Sequence, residues 1–357
     1  MRSHTSLLKG RGTSENPHNR FETLSYTPDL EYQEYEEDLP SAHTTVFRDP
    51  SRSILSRNTS PDLGFNVSVN PYRGCEHGCV YCYARPTHEW LGFSAGLDFE
   101  TRLLAKQDAP QLLAKALTSP TYQPEPLIMS GITDPYQPIE RQLQITRGCL
   151  TVLADFRHPV AIITKNVLVA RDCDLLQQLA EFRAVAVFIS ITTLDSELAR
   201  RLEPRASTPA RRLAAIRSLA ESNIPVGVMT APIIPGLNDH EIPAILDAAA
   251  QAGAQSAGHT IVRLPYAVSD LFSQWLEEHY PERKKKVLNH IRGIRGGKLN
   301  DVRWHSRMRG AGIQAEAIHN LFRLGCRKAG LSAPASGLST DAFRRPDRTG
   351  QLALFNV

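Results

Sequence analysis

Between residues 65 and 280, short β-branched or apolar runs alternate with helical patterns, and this alternation constrains the fold more than any other feature of the chain. The strand-like runs are 65–69, 127–129, 160–164, 184–191, 225–230 and 259–264. Apolar spacing predicts helices over 81–91, 109–117, 142–156, 170–182, 194–202, 209–222, 241–252 and 269–280, with 99–106 extended. Strands separated by helices form parallel β/α units, because a parallel pair needs a long crossover. Closed parallel sheets place their chemistry at the carboxyl ends of the strands. The residues that follow each strand are therefore the first candidates for a site.

The segment after the first run is Asn70-Pro71-Tyr72-Arg73-Gly74-Cys75-Glu76-His77-Gly78-Cys79-Val80-Tyr81-Cys82-Tyr83. Its cysteines are spaced C-x3-C-x2-C, with the aromatic Tyr81 before the last. Three thiolates on one tight loop can hold three corners of a [4Fe–4S] cubane, whose usual ligands are cysteines. The fourth iron is then open to a small molecule. A structural zinc site is the competing reading, with His77 or His88 as fourth ligand. The other three of the six cysteines, Cys149, Cys173 and Cys326, are scattered, so the chain has no disulfide framework.

Later strand ends add polar candidates. After the second run come Ser130 and Asp134, the latter stiffened by Pro135 and Pro138. Lys165 follows the third run, and Ser190 sits at the end of the fourth. Glu203 is held extended by Pro204, with Arg205 beyond it. The fifth run leads into an apolar, proline-containing turn that carries Ile233. A turn cap for Asp134 and solvated charge for Lys165, Glu203 and Arg205 are the plainer readings. No G-x-G-x-x-G or Walker pattern follows any strand.

The cysteine run strongly resembles the signature of the radical S-adenosylmethionine (SAM) superfamily. The longer pattern N-P-Y-R-G-C-x-H-G-C-x-Y-C-Y-A-R, residues 70–85, resembles a branch similar to spore photoproduct lyase. The likeness covers roughly residues 45–330. It implies a partial (β/α)6 barrel in an α/β chain. It also implies a cluster on Cys75, Cys79 and Cys82, with the SAM amine and carboxylate on the open iron. One electron, from a donor such as flavodoxin or ferredoxin, would then cleave SAM to a 5′-deoxyadenosyl radical. By the same resemblance Asp134 touches the SAM amino group and Lys165 its carboxylate. Ser190, Glu203 and Arg205 reach ribose or carboxylate, Ile233 packs on adenine, and Tyr81 and Ser130 complete the set. The lyase carries a hydrogen-donating cysteine just before its Asp; here that place is Gly131, and residues 127–138 hold no cysteine. The substrate is thus left open, nucleic acid among the candidates. A non-enzymatic iron–sulfur or zinc scaffold is the alternative, and it gives Asp134, Lys165 and Ser190 no role.

Composition and polarity divide the chain into a mostly disordered arm (1–60), a core (61–280), a helical extension (281–331) and a flexible tail (332–357). The arm is polar, with an acidic stretch at 29–38, and is expected to begin packing near 46–55. The extension opens with basic Arg283, Lys284, Lys285 and Lys286 and continues through Arg292, Arg295, Lys298 and Arg303. The tail ends Gln351-Leu352-Ala353-Leu354-Phe355, which resembles the peptide that docks bacterial DNA-processing proteins on the sliding clamp. Docking there would make DNA and the clamp partners; the plainer reading is a tail that packs on its own domain or has no partner. No apolar run reaches the roughly 18 residues of a membrane span, and the first residues lack a signal core, so a cytoplasmic location is expected. A net charge of +4 discriminates little.

Overall fold

The computed structural model describes residues 10–22, 43–129, 131–332 and 337–346 of the chain. Among them the strands are β1 Thr45–Arg48, β2 Leu55–Arg57, β3 Val67–Val69, β4 Tyr72–Arg73, β5 Arg102–Ala105, β6 Leu127–Met129, β7 Val160–Thr164, β8 Val185–Ser190, β9 Val226–Ile233 and β10 Ser256–Ile261. The main sheet runs β10-β9-β8-β7-β6-β3-β2, with β3 through β10 all parallel and β2 antiparallel at the edge. This is an open, partial (β/α)6 barrel. Its register lines up Val67, Leu127, Val160 and Val185 in one row, so the first four parallel strands start level and their carboxyl ends share one rim. All four side chains are buried, as expected for strands covered on both faces.

Helices Ala109–Thr118, Ile145–Phe156, Cys173–Ala180, Pro209–Glu221 and Ile242–Gln251 wrap the sheet. Their apolar faces, including Leu113, Leu150, Leu176, Ile216 and Ile245, join the strand side chains in one core. Three local expectations shift. Residues 81–84 form a loop, and only a 3-10 turn, Arg85–Leu91, follows it. Residues 99–106 split into the end of helix Leu97–Thr101 and strand β5, which pairs with β1 and β4 in a separate small sheet. The sixth parallel strand lies three residues early, at Ser256–Ile261, where small Ala257 and Gly258 pack. The basic helix spans Pro281–Ile294 and ends where Gly296 and Gly297 turn into positive φ (62° and 85°).

Two peripheral segments are more ordered than their composition suggests. Residues 10–22 lie along the cysteine loop, with Arg11, Thr13 and Asn19 buried. They are held by carboxylates and carbonyls rather than by apolar area. Gly12 N and Thr13 Oγ1 donate to Glu100 at 2.9 and 3.1 Å, Asn16 Nδ2 to Asp98 at 3.0 Å, and Arg20 Nε to Glu89 at 2.7 Å. At the amino ends of the strands, Phe343 packs on Tyr122, Phe156 and His158, and Arg345 donates to the carbonyls of Ser119 and Tyr122. The clamp-like peptide at 351–355 and Ser130 lie outside the described residues.

The open sheet has its two edges at β2 and β10. A clasp joins them: Asp62, between β2 and β3, accepts from Arg307 Nε and Nη2 at 2.7 and 2.6 Å and from the His305 backbone at 3.1 Å. Among the described residues no helix is long and apolar enough to cross a membrane.

Burial pushes the imidazoles of His88, His158 and His259 down to about 4. Unfolding returns them to the ordinary value near 6.5, so below about pH 6.5 the unfolded chain binds protons the folded chain refuses. Stability is therefore expected to be full above pH 7 and to fall steadily from about pH 6.5 to 4. Melting curves across that window check this, and a flat Tm would contradict it.

Candidate active site

The cysteine loop is shaped by backbone constraints on both sides. Gly74 and Gly78 sit at φ 76° and 67°, and a Cβ on Gly78 would come within 2.6 Å of a Glu100 carboxylate oxygen. Cys75 N donates to Phe99 O at 2.8 Å, and Cys82 N to Cys79 O at 3.2 Å. Behind the loop the fully buried Arg85 donates to Cys79 O (2.9 Å), Gly96 O (2.9 Å) and the equally buried Glu100 (2.5 Å). Gln137, from the β6–β7 connection, accepts from Glu76 N and donates to Gly74 O. Backbone bonds and these buried side chains thus fix the course of the loop.

Those three thiols line one cavity of about 400 Å³ at the carboxyl ends of the strands, within the usual range for small-molecule sites. Burial raises all three thiol pKa values, Asp134 adding to the effect at Cys75 and Glu203 at Cys79. Tyr81, Asp134, Lys165 and Ser190 share the same wall. Asp134 is rigidly placed: Oδ1 accepts from Thr164 Oγ1 (2.7 Å) and Tyr136 N (2.9 Å), Oδ2 from Lys165 N (2.8 Å). His77 Nδ1 lies 3.4 Å from that second oxygen. Burial alone would raise this carboxyl, but His77, the Thr164 hydroxyl and Lys165 N hold it below the usual range. Asp134 does cap a turn, and it faces the cavity as well.

Lys165 reaches across the β7–β9 end of the rim. Its Nζ donates to Ala231 O at 3.0 Å and lies 3.3 Å from both Thr192 Oγ1 and Glu203 Oε1. Glu203 is the hub beneath it, fully buried and bonded to Arg212, Tyr81 and Thr192. Burial would raise its carboxyl, yet Arg212 and Lys165 draw it far below the ordinary value. Glu203 does not line the cavity; it lies behind the wall, bonded to Tyr81 and within 3.3 Å of Lys165, both of which do. Arg205 does not line it either; it pairs with Glu76 at 3.0 Å on the flank of the loop. Ile233 is the last residue of β9 and is buried in the main core, while Ala231 and Pro232 face the cavity.

Sequence reasoning missed Arg212, Thr192 and Arg263. Arg212 carried a legible signal, since it shares a helical face with Ile216 and Leu219 and so had to be buried. The zinc alternative finds no support in the geometry. Both ring nitrogens of His77 are engaged, with Asp134 and Asn166; His88 Nε2 bonds Arg102 O, and although its Nδ1 has no partner among the described residues, the ring does not line the thiol cavity. Among the described residues no three His, Cys, Asp or Glu side chains are grouped to hold a single metal ion. A cubane makes a different demand, since it spreads its cysteines over separate irons. Three cysteines on one loop, facing one cavity, meet that donor requirement.

Residues 69–249, half of the chain, match the Radical SAM superfamily. The chain belongs to the radical SAM superfamily. Among relatives of this radical SAM protein, one from Mycobacterium tuberculosis is 36% identical over 222 residues, which is 62% of this chain and 65% of that protein. One from Methanocaldococcus jannaschii is 29% identical, over 63% of this chain and 81% of its own. The match thus spans less than two thirds of the mycobacterial relative. Among solved structures, a spore photoproduct lyase variant superposes with a TM-score of 0.56 at 15% identity, over 81% of this chain and 80% of the lyase. Another lyase variant, with bound AdoMet and dinucleoside spore photoproduct, gives 0.54 at 16%. At such identities the likeness is one of fold.

Proposed function

We propose that Cys75, Cys79 and Cys82 hold a [4Fe–4S] cluster and that the adjoining cavity binds SAM for reductive cleavage. The observation that carries this reading is convergence. The three thiols, Asp134, Lys165 and Ser190 come from four successive strand ends of a radical SAM protein and line one cavity. When bound, the cluster supplies the single electron for cleavage, and reduced flavodoxin or ferredoxin is the class of donor that refills it. The protein's own residues bind and orient. Asp134, an anion fixed by three donors, accepts from the SAM ammonium. Lys165, poised on Ala231 O, turns a cation toward the SAM carboxylate. Ser190 offers a hydroxyl to the ribose. Tyr81, locked onto Glu203, fixes the loop between the second and third cysteines. Such chemistry suits a reducing cytoplasm.

Anaerobic reconstitution with iron and sulfide tests the reading. About four irons per chain, a reduced-state EPR signal that changes on adding SAM, and 5′-deoxyadenosine by chromatography are expected. A signal indifferent to SAM would overturn it. Lys165→Ala should weaken SAM binding by about 1.5–3 kcal/mol, the worth of one charge-assisted bond. Equilibrium dialysis reads this directly, and an unchanged affinity removes Lys165 from the SAM site. The fold shared with spore photoproduct lyase supports nucleic acid as a substrate class. Lesion reversal is not proposed, because Gly131 stands where the lyase has its cysteine.

A further inference from the structure

The cavity wall contains one charge that the protein leaves uncompensated. Of the charged side chains lining it, Asp134 is bonded to Thr164 and faces His77, and Lys165 is paired with Glu203. Arg263 makes no ion pair and no hydrogen bond among the described residues. Its guanidinium instead lies over the Tyr83 ring, 4.4 Å from the centroid. Asp62 is the carboxylate nearest in influence, but the two-pronged contact with Arg307 occupies it. Arg263 follows β10 by two residues, at the end of a strand whose last carbonyl, with that of Val262, is fixed by Arg295. The cation is therefore presented by rigid backbone, and burial already lowers its pKa.

We propose that Arg263 is the anion-binding residue of a substrate subsite in the outer half of this cavity, and that the substrate carries a phosphate or carboxylate on an apolar, planar body. The inference rests on the SAM reading of the inner half. The guanidinium lies over Tyr83, and its N–H groups make no hydrogen bond among the described residues, which leaves donors for two-pronged binding of an oxyanion. The same cavity has an apolar lining that includes Leu63, Phe65, Ile132, Val262 and Met308. A hydrophobic pocket with one convergent charge selects a molecule with a matching division of character. The anion would sit beside Tyr83, directly after Cys82, with the planar body directed along the cavity.

Reconstituted full-length protein with SAM present, titrated calorimetrically with phenyl phosphate, benzoate and benzyl alcohol, tests this. At least one anion should bind about tenfold or more tighter than the alcohol, the effect of one charge-assisted contact, and the stronger of the two identifies phosphate or carboxylate. Arg263→Met should erase that preference, and Arg263→Lys should keep part of it with an unchanged melting temperature. SAM affinity should stay within about twofold in both variants, because one lost charge-assisted contact costs tenfold or more. Equal binding of anions and alcohol by the parent protein overturns the proposal, as does a preference that survives Arg263→Met. A tenfold loss of SAM affinity in Arg263→Met would hand the guanidinium to the SAM carboxylate. Should the parent fail to bind SAM while still preferring anions, the SAM reading falls and the anion site stands.

Discussion

Cys79→Ala reduces SAM cleavage to the level seen without enzyme while the barrel stays folded. Cys79 contributes a sulfur to the cavity wall and backbone carbonyl contact to Arg85, and the substitution removes only the first. The loss of one buried sulfur costs about 1–2 kcal/mol of packing, small for a core of this size. The parallel strands and their helices form a separate apolar core. Two readouts therefore move apart: 5′-deoxyadenosine vanishes, and the melting temperature of the cluster-free protein barely changes. Normal 5′-deoxyadenosine from this variant would end the mechanism proposed for the chain.

Glu203→Ala acts the other way and strikes stability first. It strands Arg212, whose Nη1 and Nε also bond the carbonyls of Ser190 and Ser207, as a buried cation without its carboxylate. Breaking one side of a buried pair costs about 3–5 kcal/mol. At about 2 °C per kcal/mol for a large domain, Tm falls by about 6–10 °C. Lys165 and Tyr81 lose an anchor at once, so SAM affinity falls as well. The double variant Glu203→Leu, Arg212→Met should recover much of the Tm but not the SAM affinity, because the stranded charge is gone while Lys165 stays unanchored. A Tm unchanged in Glu203→Ala would show that the buried network is not stabilising.

Strands β6 and β7 were legible to the residue because each is a short, near-continuous apolar run covered on both faces. The cysteine loop, Asp134, Lys165 and Ser190 were legible for a related reason: they stand where parallel strands end. Glu203 was not. Pro204 made it look extended and reachable, but its decisive partners Arg212, Tyr81 and Lys165 come from other elements and meet it only in three dimensions. Ile233 was expected on adenine, but β9 runs on through Ala231 and Pro232 with one extra residue against β10, and this register shift places residue 233 in the core. The arm at 10–22 eluded composition altogether. Its order derives from carboxylates at Glu89, Asp98 and Glu100, and a count of apolar residues does not see them.

The clasp between Asp62 and Arg307 spans 245 residues of sequence. At a synthesis rate of about 5–20 residues per second, Asp62 waits roughly 12–50 s for its partner to be made. Throughout that interval the clasp is missing, and for most of it Cys75, Cys79 and Cys82 have already been made. A cluster delivered during translation meets an open sheet. One delivered afterwards meets the finished rim, with Met308 and Phe65 both lining the closed cavity.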